Sequence, residues 1–269
     1  MRIDKATVLG LIMALGGICL GLILEGGSIR EIVQPTAALI VFGGTFGATL
    51  VSQPFYIVTR SLKALFSIFS EPAYRLDEMI ETIVNLSNQA RRNGIVSLEK
   101  QMEQIPHPFL RKAVTLAVDG AESHEIRRIM ELEMEQESAR QEAGAKVLEA
   151  AGGFAPTVGI IGAVLGLIQV MKHLENIEEV GKGIAVAFVA TIYGVGVANL
   201  ILLPGAKKIT IRAHQEATMK DLMLEGVVSI AEGLNPRLIQ QRLEGFLERT
   251  AEPAPKNDST RTSTRPAEV

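Results

Sequence analysis

The chain has 269 residues, a net charge of −3, one cysteine and no tryptophan, and its mean hydropathy is +0.24. A lone cysteine excludes an internal disulfide framework. Basic residues interleaved with acidic ones give no nucleic-acid-binding stripe, and the uneven spread of apolar residues fits a membrane protein with a soluble part.

Four runs, residues 6–24, 36–58, 151–171 and 184–203, are long enough to cross a bilayer, which takes about 20 apolar residues. The first, ATVLGLIMALGGICLGLIL, exceeds the roughly 7–15 apolar residues of a signal peptide and lacks an A-x-A site, so it reads as an anchored span. Cys19 lies within it and reads as a small buried hydrophobe. The second span follows closely, and residues 1–58 form one membrane segment.

Residues 59–150 carry most of the charge and repeat their apolar residues at helical spacing. In LDEMIETIVNLSNQARRNG, Met79, Ile80, Ile83, Val84 and Leu86 make one face. Asp77 and Glu78 suit the helix start and Gly94 its end. PHPFL interrupts the pattern at Pro106 and Pro108. Then SHEIRRIMELEMEQESARQEAGAKVLEA predicts a long charged helix leading into the third span, with Ser123 as its N-cap.

Residues 151–206 hold the third and fourth spans. The third, AGGFAPTVGIIGAVLGLIQVM, contains Pro156 and five glycines, residues that weaken a helix in water. Gly152, Pro156, Gly159, Ala163 and Gly166 share one helical stripe. Ala187, Thr191, Gly194 and Ala198 form another in the fourth span. Such stripes let helices approach closely in lipid, and ordinary tight packing is the simplest reading of them. Pro156 and Pro204 each free a carbonyl one turn earlier. In lipid that carbonyl must meet protein or water, and Thr157, Thr191 and Asn199 add polar atoms nearby. Two kinked, small-lined helices around a narrow central path are a second reading. Residues 207–250 continue as an amphipathic helix and a shorter one after Asn235. Residues 251–269 are rich in Pro, Ser and Thr and read as a disordered tail.

Orientation follows from the positive-inside rule. Arg2, Lys5, Arg60, Lys63, Arg140, Lys146, Lys207, Lys208 and Arg212 lie near the span ends on one side, against Arg30, Lys172 and Lys182 on the other. Both termini and the middle segment are therefore expected in the cytoplasm. The predicted fold is an all-α membrane protein. It has four transmembrane helices, a helical cytoplasmic domain between the second and third spans, and cytoplasmic C-terminal helices.

Catalytic and metal-binding signatures are not apparent. His107, His124, His173 and His214 are scattered without ligand spacing. YGVGVAN and IIGAVLG lack the rest of a nucleotide-binding loop. No Ser-His-Asp or Cys-His constellation appears, so an enzyme is not expected. The spans hold no Asp, Glu, Lys, Arg or His, whereas ion carriers keep an ionisable group at membrane depth. Either the chain carries no ion or another polypeptide supplies the titrating group.

The order of two spans, a cytoplasmic segment, two spans and a basic tail resembles flagellar motor stator subunits of the MotA/PomA type. These belong to the wider MotA/TolQ/ExbB proton-channel family. APTVGIIGAVLGL and GIAVAFVATIYGVGVANLILLPGAKK resemble the family's third and fourth spans, and ARRNGIVSLE resembles its basic-x-x-G-x-x-S-L-E stretch. The resemblance covers about residues 1–245.

It implies a homopentamer in the lipid of the bacterial inner membrane around two copies of a single-span MotB-type partner, whose aspartate takes and releases the ion. The third and fourth spans would line the centre, placing Pro156, Thr157, Ala163, Thr191 and Pro204 near the ion path. Arg91 and Glu99, assisted by Arg92, would engage the rotor C ring. No cofactor is implied beyond the ion-motive force. Ala163 stands where sodium-driven relatives tend to have threonine, which implies protons. A TolQ/ExbB-type energiser would show one span before the cytoplasmic segment. A non-conducting scaffold would tolerate Pro156→Ala and Thr191→Ala.

Overall fold

The computed structural model describes residues 3–71 and 75–251. Arg2 and residues 252–269 of the expected tail lie outside them. Nearly all of the described chain is helical: α1 (Lys5–Leu24), α2 (Pro35–Ser52), α3 (Phe55–Ser67), α4 (Leu76–Asn93), α5 (Pro108–Val118), α6 (Ser123–Lys172), α7 (Ile177–Val197), α8 (Leu203–Ala231) and α9 (Pro236–Ala251). A 3₁₀ segment, Ile95–Gln104, joins α4 to α5, and a π-helical turn, Ala198–Leu202, joins α7 to α8. Four helical stretches are long and apolar enough to cross a membrane.

The chain divides into two compact units. Among the described residues, the first comprises 3–71 and 128–219, the second 75–127 and 220–251.

In the first unit, Asp4 caps α1 by accepting the Thr7 N–H at 2.9 Å. No residue of α1 is buried within the chain. An apolar helix with no covered face is stable only against lipid or further polypeptide. The second span ends earlier than its apolar run predicts. Pro54 disfavours helical backbone at the residue before it. Gln53 is accordingly extended (φ −140°, ψ 145°), and residues 55–58 belong to α3. The face of α2 carrying Ala37 and Val41 packs on Val189 and Ala190 of α7. A second cluster gathers Leu65, Ile68, Ala145, Leu148, Ala206 and Ile209.

In the second unit, α4 has Asp77 and Glu78 in its first turn and Arg91 and Arg92 in its last, matching the helix dipole. It stops at Gly94, whose φ of 82° suits glycine. Met79, Ile80, Ile83 and Leu86 are buried as the periodicity predicts, while Val84 is only half-buried. The prolines of PHPFL start a helix rather than merely breaking one. Pro108 is the first residue of α5, and His107 Nδ1 accepts the Phe109 N–H at 3.2 Å. Asn235 accepts the Arg237 N–H at 3.1 Å at the start of α9.

The expected N-cap at Ser123 is displaced by one residue. The Glu122 carbonyl accepts the Ile126 N–H at 3.0 Å, so Glu122 takes the capping position and Ser123 is already helical.

Candidate functional site

The site is built on two helices of the first unit. α6 runs unbroken through Pro156. Gly152, Gly159 and Gly166 are buried along it, together with Ala155 and Gly162. On α7 the matching positions are Gly183, Ala187, Ala190 and Gly194. Glycine is required here by close approach. A methyl group on Gly194 would stand 2.5 Å from the Ala155 carbonyl oxygen, and one on Gly159 2.9 Å from that of Ala190. A methyl group on Gly166 would stand 2.7 Å from the Gly183 carbonyl oxygen. The glycines therefore make a helix–helix seam inside one chain, as the packing reading of the stripes holds. They do not themselves line an open path.

The other members of the stripes stand beside that seam. Pro156, Ala163 and Thr191 are half-buried in the single chain, and Thr157 is exposed. Thr191 Oγ1 donates to the Ala187 carbonyl at 3.3 Å and Thr157 Oγ1 to that of Phe154 at 2.7 Å. A hydroxyl that spends its proton on its own helix keeps lone pairs free to accept. These two can thus receive a hydrogen bond from water or a protonated carboxyl group. Neither can move charge alone.

Pro204 is the second residue of α8 and is exposed. It comes one residue after Leu203, whose N–H reaches back from the end of the π turn to the Ala198 carbonyl. Such a turn admits one extra residue and re-aims the helix that follows. Exposed Asn199 lies within it, Nδ2 donating to the Val195 carbonyl at 3.0 Å. The sequence signals Pro204 but not the π turn.

Three further features escaped sequence reading. Tyr193 in α7 donates to the Ile32 carbonyl and accepts the Gln34 N–H, fastening the loop before α2. Thr45 of α2 has a buried hydroxyl without a partner among the described residues. Asp4 meets Lys208 Nζ at 2.6 Å and Arg212 at 2.8 Å. Arg212 also donates to the Ser67 and Ile68 carbonyls at 2.8 Å each, and Lys208 bonds the Thr7 hydroxyl. The Lys208 ammonium and the Thr7 N–H hold the Asp4 carboxyl well below the usual carboxylate range. Asp4 is far in sequence from its cations, so no local motif announces it.

In the second unit, Arg91, Arg92 and Glu99 are all exposed. Arg91 and Arg92 end α4, and Glu99 lies on the 3₁₀ segment beyond Gly94. None of the three makes an ion pair among the described residues. Other arginines of this unit differ: Arg127 and Arg242 both meet Glu225, at 2.9 and 2.8 Å, and Arg75 meets Asp77 at 3.0 Å.

Comparison with known proteins covers both units. Residues 101–222 match the MotA/TolQ/ExbB proton channel family, and residues 8–94 match the Motility protein A N-terminal family. Motility protein A of Bacillus subtilis is 34% identical over 249 residues, 91% of each chain. Chemotaxis protein PomA of Vibrio alginolyticus is 31% identical over 244 residues, 91% of this chain and 94% of that one. Among solved structures, C. jejuni MotAB superposes with a TM-score of 0.85 at 31% identity, covering 98% of this chain and 100% of that chain. The MotAB stator complex of B. subtilis gives 0.82 at 34%, covering 93% and 100%.

Proposed function

This chain belongs to the MotA/TolQ/ExbB proton channel family and is a stator subunit of the flagellar motor, and from that premise we propose how its residues divide the work. The chain assembles as a homopentamer in the bacterial inner membrane around a MotB-type partner, with both termini in the cytoplasm. The partner's membrane aspartate binds and releases the ion. Pro156, Thr157, Ala163, Thr191 and Pro204 border its path, and Arg91 and Glu99, with Arg92, meet the rotor C ring.

The observation that carries this reading is the separation of two kinds of surface. The spans contain no ionisable Asp, Glu, Lys, Arg or His, yet half-buried Pro156, Ala163 and Thr191 flank the α6–α7 seam where another polypeptide can reach them. Exposed Arg91, Arg92 and Glu99, which make no ion pair among the described residues, lie on the second unit. Energies are compatible with this division. One charge crossing about 100 mV releases about 2.3 kcal/mol, and an exposed ion pair contributes about 0–1 kcal/mol. One ion's passage can therefore break and remake several such pairs, as a stepping interface requires.

Deleting the gene tests this assignment. Cells with normal flagella that do not turn support it. An envelope or uptake defect with normal swimming would show a TolQ/ExbB-type energiser instead. With Ala163 beside the seam, protons are the proposed ion. Swimming speed should follow an uncoupler and ignore sodium removal, and a loss of speed on sodium removal overturns the proton assignment.

A further inference from the structure

Beside Arg91 lies a cavity of about 300 Å³, lined by Ser87, Ala90, Arg91, Ile95, Ile230 and Leu234, with Ala231 and Gly233 completing the wall. All of these residues belong to the second unit. Two helix ends create it. α4 stops at Gly94 (φ 82°) and α8 turns away at Gly233 (φ 73°). The second stop is a Schellman motif: the Gly233 N–H donates to the Ile230 carbonyl at 3.0 Å and the Leu234 N–H to that of Ser229 at 3.1 Å. This wall is thus set by backbone hydrogen bonds and does not need an occupant to form it.

The lining is apolar except for Ser87 and Arg91. Its volume is at the small end of ligand sites, which run from about 300 to 1,000 Å³, so it suits one or two side chains rather than a whole cofactor. Arg91 and Arg92 at the adjoining helix end have no acidic partner among the described residues, although Arg127 and Arg242 in the same unit are both committed to Glu225.

We infer that this notch is a socket for one aliphatic side chain of an acidic partner helix, whose carboxylate one turn away meets Arg91. Residues three or four apart on a helix share a face, so a single helix can present both groups. The guanidinium favours a carboxylate bidentately. The apolar walls of Ile95, Ile230 and Leu234 demand something that a purely charged surface lacks. The inference rests on the rotor reading of Arg91 and deepens it. Exposed charges steer a partner and fade with salt. A seated aliphatic group adds a grip that salt does not screen and that releases without breaking a strong bond.

The test uses the whole chain in swimming cells. Cys19→Ser gives a background without cysteine. Ala90→Cys on α4, and separately Ala231→Cys on α8, then place one thiol on each of two walls. N-ethylmaleimide fills the notch without altering any charge. The expected result is loss of swimming speed in proportion to the alkylated fraction in both variants, with none in the Cys19→Ser parent. Loss before alkylation, at normal membrane levels, has the same meaning, because the added sulfur already narrows the notch. Unchanged speed at full alkylation overturns the socket. Arg91→Glu separates the two readings. If it impairs swimming while the alkylated variants swim normally, the rotor reading stands and the socket falls. If Arg91→Glu also swims normally, the rotor reading falls with it.

Discussion

The α6–α7 seam and the exposed end of α4 hold opposite kinds of chemistry. The seam has no charge, and methyl groups added to Gly159, Gly166 and Gly194 would stand 2.5–2.9 Å from backbone carbonyl oxygens. It is governed by volume. At the end of α4, Arg91 and Arg92 are exposed and unpaired among the described residues, and a Cβ added at Gly94 would meet nothing within 4 Å. That surface is governed by charge. Lipid offers no hydrophobic drive for helix pairing, so small residues must supply contact. Water screens charges, so a surface that makes and breaks contacts can afford to leave them unpaired.

The contrast predicts its largest effect at the seam. Gly194→Leu forces its side chain against Ala155 and Gly159, and overpacking of this kind costs about 1–3 kcal/mol or more. The variant should reach the membrane at reduced level and melt earlier in detergent. Gly153→Leu, at an exposed position where an added Cβ meets nothing within 4 Å, should not. Equal behaviour of the two would mean that the seam does not set stability.

Asp4 sharpens the comparison, because its charges are held rather than waiting. Asp4→Asn leaves Lys208 and Arg212 beside a neutral amide, with a cost of about 1.5–3 kcal/mol for hydrogen bonds to charged groups. The pH dependence has a definite sign. The carboxyl is held below its ordinary range when folded, so its contribution is fully present above the unfolded value, about pH 4, and is lost as pH falls further. The native chain should therefore lose more melting temperature between pH 5 and pH 3 than Asp4→Asn does.

Arg91→Glu should change stability by less than about 0.5 kcal/mol, as for other exposed substitutions, while impairing swimming. Normal insertion with lost motility would separate a surface that does work from one that holds the fold.

Much of this division was legible in the sequence. The four apolar runs gave the spans, the periodicity from Met79 to Leu86 gave the buried face of α4, and Gly94 gave its end. What spacing could not tell was which side of a stripe faces what. Gly159 and Gly166 share a stripe with Pro156 and Ala163, yet these two glycines meet α7 while the other two residues stand at the edge. A helical repeat fixes which residues are neighbours, and only the partner helix decides which of them are covered. The Asp4 cluster was hidden for a related reason, since Asp4, Lys208 and Arg212 are brought together by tertiary structure alone. The π turn had no signal beyond Pro204.

The smallest effect is expected at Glu99. Glu99→Gln removes one exposed charge that makes no ion pair among the described residues, so the melting temperature should not move. On the proposed rotor role, its loss would delete about 0–1 kcal/mol of contact with a partner surface, against about 2.3 kcal/mol from one charge crossing 100 mV. Swimming should slow without stopping, because the step still has driving energy to spare. On the same proposal, Glu99→Lys would replace attraction by repulsion and should slow it further. If Gln and Lys slowed the cells equally, size or packing at this position would matter more than charge, and the contrast between the two regions would fail where it is most finely drawn.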